Sequence, residues 1–173
     1  MLVCETTIAS GGWAGGKDSG DEDWQGLAAD AVAAALAVSP YGGLAARSFD
    51  LEAAVRLSDD AEVRTLNRQF RGKDKPTNIL SFPLLEAAHL EALANTDDGE
   101  ALLGDLVLAG ETCVREAGEK GWGLGAYVQH LIVHGTLHLL GYDHETSEAA
   151  ADAMESLERE ACVRLGLDDP YAE

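Results

Sequence analysis

Residues 134–144 read HGTLHLLGYDH, and the spacing of their three histidines guides the interpretation of the whole chain. His134 and His138 are four residues apart in a stretch with strong helical character, so both side chains leave one helix face, about 6 Å apart along the axis. Two imidazoles in that geometry can bind one metal ion. Gly141 can adopt the left-handed conformation that ends a helix, and the turn that follows can bring His144 beneath the pair. The stretch predicts a three-histidine metal site.

The neighbouring polar residues are interpreted separately. His130 extends the same row, but it lies eight residues from His138, a rise of about 12 Å, so one ion cannot bind both. His130 is therefore expected to be a buried histidine or a partner behind the ligands. His89 lies in an acidic segment and is interpreted as incidental. Asp143 could orient an imidazole or move protons, although the helix-ending turn alone would also explain it.

Length and composition predict a single domain over residues 1–173 with a substantial core. The chain has a mass of 18.2 kDa, and 46% of its residues are hydrophobic while 25% are charged. Those fractions exclude disorder as the main state, and no apolar stretch approaches the roughly 18 residues that a membrane span needs. The three cysteines are far apart and odd in number, so we expect free thiols and a reducing, cytoplasmic environment.

The charge is strongly negative, with one basic exception. The 31 acidic and 12 basic residues give a formal net charge of -19, which repels nucleic acid at long range. Residues 61–75 nevertheless hold five of the basic side chains, Arg64, Arg68, Arg71, Lys73 and Lys75. Such a patch suits a phosphate-bearing ligand bound in one place, although a solvated helix end followed by a polar loop would have the same composition.

Hydrophobic periodicity predicts α+β or mixed α/β, with a small sheet covered by helices. Ser58 is the expected N-cap of the second helix, and the last helix is expected to bury a stripe from Ala150 through Leu157 to Leu165. The acidic segment 86–100 is interpreted as a helix-like or mobile insertion. Strands are predicted at 2–8, 51–57, 79–84 and 103–109, and helices at 24–38, 59–70, 111–120, 127–140 and 146–165.

The histidine offsets match those of the metzincin zinc proteases, H-E-x-x-H-x-x-G-x-x-H, except at one position. The glutamate that serves as general base in those proteases is replaced by Gly135. Glycine cannot accept a proton, so the sequence disfavours ordinary peptide hydrolysis.

Residues 133–144, VHGTLHLLGYDH, instead resemble the signature of the YbeY family, the bacterial endoribonucleases and rRNA maturation factors. A second stretch, LNRQFRGKDKPTNILSFP at 66–83, resembles that family's other motif. The segment 103–106, LGDL, and the C-terminal amphipathic helix also fit. The resemblance covers roughly residues 50–170, and residues 1–50 show no match.

The resemblance implies an α+β, zincin-like fold, in which a mixed sheet is covered by helices and a central helix carries the metal. It implies one zinc ion held by His134, His138 and His144, and it matches Arg71 to the family's functionally important arginine. The implied activity is single-strand-specific endoribonuclease cleavage in 16S rRNA 3′-end maturation and ribosome quality control, with the small ribosomal subunit and its proteins as partners.

In this interpretation Arg71 would grip a phosphate with two hydrogen bonds and offset the charge that builds up in the transition state. Arg64, Arg68, Lys73 and Lys75 would position the RNA backbone. Two alternatives remain open. The protein could be a zinc peptidase or another metal-dependent hydrolase with a base from elsewhere in the chain. It could also be a non-catalytic ribosome-assembly factor whose zinc is structural.

Overall fold

A four-stranded mixed sheet organises the fold. The computed structural model describes residues 1–13, 22–46, 50–93 and 100–172. The sheet has the order β1-β2-β4-β3, in which β1, β2 and β4 run parallel and β3 is antiparallel to β4. The strands are β1 (Leu2–Ile8), β2 (Asp50–Ser58), β3 (Ile79–Pro83) and β4 (Glu100–Ala109).

Six α-helices accompany the sheet in the described part of the chain. Helix α1 lies against β1, α5 and α6, whereas α2 lies against β3 and β4. The predicted first helix and the four predicted strands are confirmed to within a few residues. The helices are α1 (Trp24–Val38), α2 (Asp60–Arg71), α3 (Ala87–Leu93), α4 (Gly110–Lys120), α5 (Leu124–Leu139) and α6 (Glu148–Arg164).

Helix α5 is the central helix that the sequence predicted. It contacts α1, α4 and α6 as well as β3 and β4. It is apolar on most of its circumference, and a helix of that kind is stable only when neighbours surround it. Val128, Ile132, Val133 and Leu137 are fully buried. The histidines at its C-terminal end are therefore carried by one of the most enclosed elements of the protein, which confirms the α+β, zincin-like architecture.

The N-cap of α2 differs from the prediction. Asp59, not Ser58, caps the helix, because its side chain accepts a hydrogen bond from the Glu62 amide at 2.9 Å. Strand β2 continues through Ser58, whose carbonyl accepts the Trp13 indole N–H at 2.7 Å. Asp and Ser are comparable caps in isolation, so the length of the strand determines which of them is used.

The buried face of α6 also differs from the predicted stripe. Met154 and Ala161 are buried as expected, but Leu157 and Leu165 are only half-buried. Glu158 and Cys162 complete the buried face instead. A helix rotated by one position keeps the 3.6-residue period, so apolar spacing alone does not fix which face is inside.

Two further predictions concern the acidic segment and the cysteines. Part of 86–100 forms α3, with Leu90 fully buried, and residues 94–99 lie outside the described residues. The cysteines are free and buried, as expected. None of the described helices is long and apolar enough to cross a bilayer.

Candidate metal centre

The three predicted histidines converge at the C-terminal end of α5. The Nε2 atoms of His134 and His138 are 3.0 Å apart, and the His144 ring centroid lies 5.2 Å from each of the other two. One ligand atom from each histidine lies within 4.8 Å of the others. A tetrahedral ion with metal–nitrogen bonds of about 2.0–2.1 Å separates its ligand nitrogens by about 3.3 Å, so a small adjustment of His144 suffices.

Gly141 makes this convergence possible. Helix α5 ends at Leu139, and Gly141 has φ +96°, a conformation that strains residues with a Cβ. The Tyr142 amide then donates to the Leu137 carbonyl at 3.0 Å, which closes the turn. The chain reverses and brings His144 back to the end of the helix, as the sequence predicted.

The hydrogen bonds behind two of the imidazoles fix their orientation. His138 Nδ1 lies 2.8 Å from the Tyr142 carbonyl oxygen, and His134 Nδ1 lies 2.6 Å from Oε1 of Glu158. A carbonyl and a carboxylate only accept, so both Nδ1 atoms carry a hydrogen, and in the neutral rings both Nε2 atoms present lone pairs. Two lone pairs at 3.0 Å repel each other unless a cation lies near both. These residues therefore fit a divalent metal ion.

Electrostatics also favour a neutral His138. Burial, together with the nearby His134 and His144, lowers the pKa of His138 below its usual value, although its hydrogen bond to Tyr142 acts in the opposite direction. A neutral imidazole is the form that binds a metal, so the site is prepared for a cation at neutral pH.

Gly135 faces the sheet rather than the cleft. A Cβ at this position would lie 2.8 Å from Leu106 Cδ2 and 2.9 Å from Ile79 Cδ1. Both side chains would have to shift to accommodate a Cβ at these distances, so glycine allows α5 to cross the sheet closely here. A glutamate at 135 would have to enter this packed interface, which explains in physical terms why the general base of the metzincin motif is absent.

Asp143 stabilises the turn that follows α5. Its Oδ1 accepts the backbone N–H of Glu145 at 2.8 Å. This is the local hydrogen bond typical of an Asx turn, so the structure favours the turn interpretation over an orienting role.

The histidines open into a cleft of about 820 Å³ whose wall includes Arg71, Lys73 and Lys75. All three are exposed. The loop that carries the lysines is attached to α2 by the buried Asn67, whose amide donates to the Lys75 carbonyl at 2.8 Å. The structure therefore brings together, on one wall, three of the five basic residues assigned to phosphate from the sequence.

The other two basic residues of this segment lie elsewhere. Arg68 is exposed on α2 and is not part of the cleft wall. Arg64 is engaged by Asp74, with bidentate distances of 2.9 and 3.1 Å.

Comparison with known proteins identifies the family. The family model described as Endoribonuclease YbeY matches residues 19–166. The chain belongs to this family. It is 61% identical over 151 residues to an Endoribonuclease YbeY of Sphingopyxis alaskensis, a match that covers 87% of this chain and 89% of that protein. It is 53% identical over 160 residues to one of Rhizorhabdus wittichii, covering 92% and 91% respectively.

A solved structure supports the fold. A Thermotoga maritima protein whose structure was determined in solution is 22% identical and matches with a TM-score of 0.50 over the whole of both chains. The family match begins at residue 19 and includes α1, so it extends beyond residues 50–170, whose motifs carried the resemblance. An Ala-rich helix without distinctive side chains gave no motif by which the sequence could have revealed this.

Sequence reasoning missed Glu158, which lies directly behind the histidines. Its side chain is fully buried. Burial alone would raise its pKa, but His130 at 3.4 Å and the hydrogen bond from His134, followed by that from Tyr171, hold the pKa at about 2. Glu158 is thus an ionised carboxylate that orients one of the candidate ligands. The available signal was an acidic residue four positions after Met154 and three before Ala161, on the buried face of an amphipathic helix.

Proposed function

We propose that the protein is a zinc-dependent, single-strand-specific endoribonuclease that acts in 16S rRNA 3′-end maturation and ribosome quality control. The observation that carries the proposal is the position of three converging imidazoles in a cleft whose wall bears Arg71, Lys73 and Lys75. The family relationship supports the same activity.

The proposed ligands are His134, His138 and His144, and the proposed metal is one zinc ion. Bound there, zinc would supply Lewis acidity toward water and phosphoryl oxygens, because three neutral ligands leave its double charge uncompensated. The chain's own contribution is orientation, since Glu158 and the Tyr142 carbonyl direct two imidazoles toward the cleft. His144 is exposed and borders the open side.

Arg71 is the proposed catalytic residue for the phosphate. It is the last residue of α2, and its exposed guanidinium belongs to the cleft wall. A guanidinium can donate two parallel hydrogen bonds to a phosphate and offset charge in the transition state. Lys73 and Lys75 would hold the neighbouring phosphates. Arg68, outside the cleft, would contact the RNA backbone before it enters.

Phe70 suggests how single strands would be favoured. Phe70 is 66% exposed as a residue, which is unusual for a large aromatic, and its ring packs edge-on against Phe82 with centroids 5.3 Å apart. Both rings line the cleft that holds the histidines. Unpaired bases stack on exposed aromatic faces, whereas paired bases cannot reach them. Phe70 would therefore hold a base next to the phosphate bound by Arg71.

The acidic body of the protein bears on its partners. A net charge of -19 weakens binding to free RNA, so docking on the small ribosomal subunit and its proteins would supply the missing affinity. The three buried thiols suit the reducing cytoplasm, where we place the protein. This arrangement predicts low activity on naked RNA with a steep dependence on salt.

The test uses zinc-loaded protein, single-stranded RNA and the variant Arg71→Ala. We expect Arg71→Ala to retain zinc and to lose cleavage by about 100-fold or more, comparable with removal of one transition-state donor. Arg115→Ala is a matched control, because Arg115 is an exposed arginine on α4 that pairs with Glu119. Equal cleavage by the parent and Arg71→Ala would refute the role of Arg71. Cleavage of a peptide library without action on RNA would favour the peptidase alternative, and normal rRNA ends in cells that carry only a folded His138→Ala would favour the structural-zinc alternative.

A further inference from the structure

The C-terminal tail, residues 167–171, folds back onto the protein beyond the end of α6. Lys120 of α4 donates to the Pro170 carbonyl at 2.8 Å. Arg159 of α6 donates to Asp169 at 3.2 Å. Pro170 is buried. The match to the family ends at residue 166, so this tail is a feature of the chain outside the matched segment.

The fold-back places Tyr171 behind the metal centre. Its hydroxyl donates to Oε2 of Glu158, while Oε1 of the same carboxylate accepts from His134 Nδ1 at 2.6 Å. The guanidinium of Arg159 lies over the Tyr171 ring, 5.3 Å from its centroid, and keeps the ring in place. One carboxylate therefore links the tail to a candidate metal ligand, with one oxygen used for each.

A second histidine competes for the same carboxylate. His130 Nε2 lies 3.4 Å from Oε1 of Glu158, and neither ring nitrogen of His130 has a hydrogen-bond partner among the residues that the structure describes. A buried imidazole without a partner gains from any acceptor that turns toward it. The bond from Tyr171 to Oε2 fixes the plane of the carboxylate and so keeps Oε1 on His134 rather than on His130.

We propose that Tyr171 is a positioning residue of the metal centre, which acts through Glu158 to hold His134 in its ligating orientation. The proposal rests on the metal site proposed above. Without the hydroxyl, the Glu158 carboxylate can rotate toward His130. The His134 ring is then no longer held in place beforehand, and metal binding itself has to order it. Loss of such outer partners weakens metal affinity, so the tail would tune how tightly the ion is held.

The test measures zinc affinity by competition with a chromogenic chelator in the parent protein and in Tyr171→Phe. We expect Tyr171→Phe to bind zinc about tenfold more weakly, at the low end of the effect of losing an outer partner. Tyr127→Phe is the matched control. The Tyr127 hydroxyl also donates to a carboxylate, that of Glu116, and makes no hydrogen bond to the three histidines. Its zinc affinity should equal that of the parent.

A double-mutant comparison tests the route through Glu158. In a Glu158→Gln background, Tyr171→Phe should cause little further loss of zinc affinity, because the connection from Tyr171 through residue 158 to His134 is already weakened. Unchanged affinity in Tyr171→Phe, an equal loss in Tyr127→Phe, or an undiminished loss in the Glu158→Gln background would each overturn the proposal. A parent protein that binds no zinc would instead refute the metal centre itself, so the two failures are distinguishable.

Discussion

The Nε2 atoms of His134 and His138 face each other at 3.0 Å, while the Nδ1 atom of each ring is already engaged by an acceptor. Neither imidazole ring can flip to exchange its two nitrogens without leaving its acceptor unpaired. The close approach of the two lone pairs is therefore built into the fold. The fold thus bears an electrostatic cost that a bound cation removes.

Zinc is accordingly expected to stabilise the protein. At a free concentration of 100 times Kd, the gain in the free energy of unfolding should be about 2.7 kcal/mol. Thermal unfolding with zinc and with a chelator measures it. His144→Ala is a suitable comparison, because the His144 side chain is exposed and its removal leaves the core intact. A full response to zinc in that variant would show that the ion binds elsewhere.

Substitution at Gly135 should reveal how closely α5 packs on the sheet. Gly135→Ala places a Cβ against Leu106 and Ile79, so we expect a loss of about 1–3 kcal/mol despite the better helix propensity of alanine. Denaturant unfolding provides the measurement. Gly118→Ala is the control, because Gly118 lies inside α4 with nothing within 4 Å of a Cβ. It should gain about 0.5–1 kcal/mol. If the free energy of unfolding changed in the same way in both variants, helix propensity rather than packing would be the cause.

Cys162 should make stability depend on pH in the alkaline range. Burial raises its pKa from 9.0 to about 11, with Glu158 and Asp169 adding to the shift. The folded protein holds the thiol proton more tightly than the unfolded chain does. The protonated thiol therefore contributes fully to the free energy of unfolding below pH 9, and this contribution is lost between pH 9 and 11. In this range the free energy of unfolding should fall with pH by up to about 1.4 kcal/mol per pH unit.

The measurement for Cys162 is denaturant unfolding at several pH values from 8 to 11. Cys4 and Cys113 also have raised pKa values and act in the same direction. The informative quantity is therefore the difference in slope between the parent and Cys162→Ala. Parallel curves would contradict the assignment.

Phe70 should affect RNA binding more than catalysis. Phe70→Ala is expected to raise KM for a single-stranded oligonucleotide by about 5- to 100-fold, the range for loss of one base–aromatic stack, with a smaller change in kcat. Phe70→Trp should retain affinity and Phe70→Leu should not, because only the first keeps a π face. Full affinity in Phe70→Leu would show that apolar contact, not stacking, is what the ring provides.

The sequence predicted the parts of the fold and site that depend on local spacing. Helix α1 has the predicted bounds, and His134, His138 and His144 meet because helix period and a glycine turn are local properties. Glu158 was missed because an ionised residue on a buried face contradicts the hydrophobic pattern. The distant partners His130, His134 and Tyr171 make it tolerable. The location of Arg68 outside the cleft likewise depends on where α2 ends relative to β3, which spacing in the sequence does not encode.

The order in which the site residues occur along the sequence has a consequence during protein synthesis. His144 precedes α6, so all three histidines are translated before Glu158. Until residue 158 emerges and α6 docks, His134 lacks the acceptor that holds its Nδ1 hydrogen. A nascent chain that has not yet folded α6 into place is therefore without an ordered site, and competence arises only when α6 has docked.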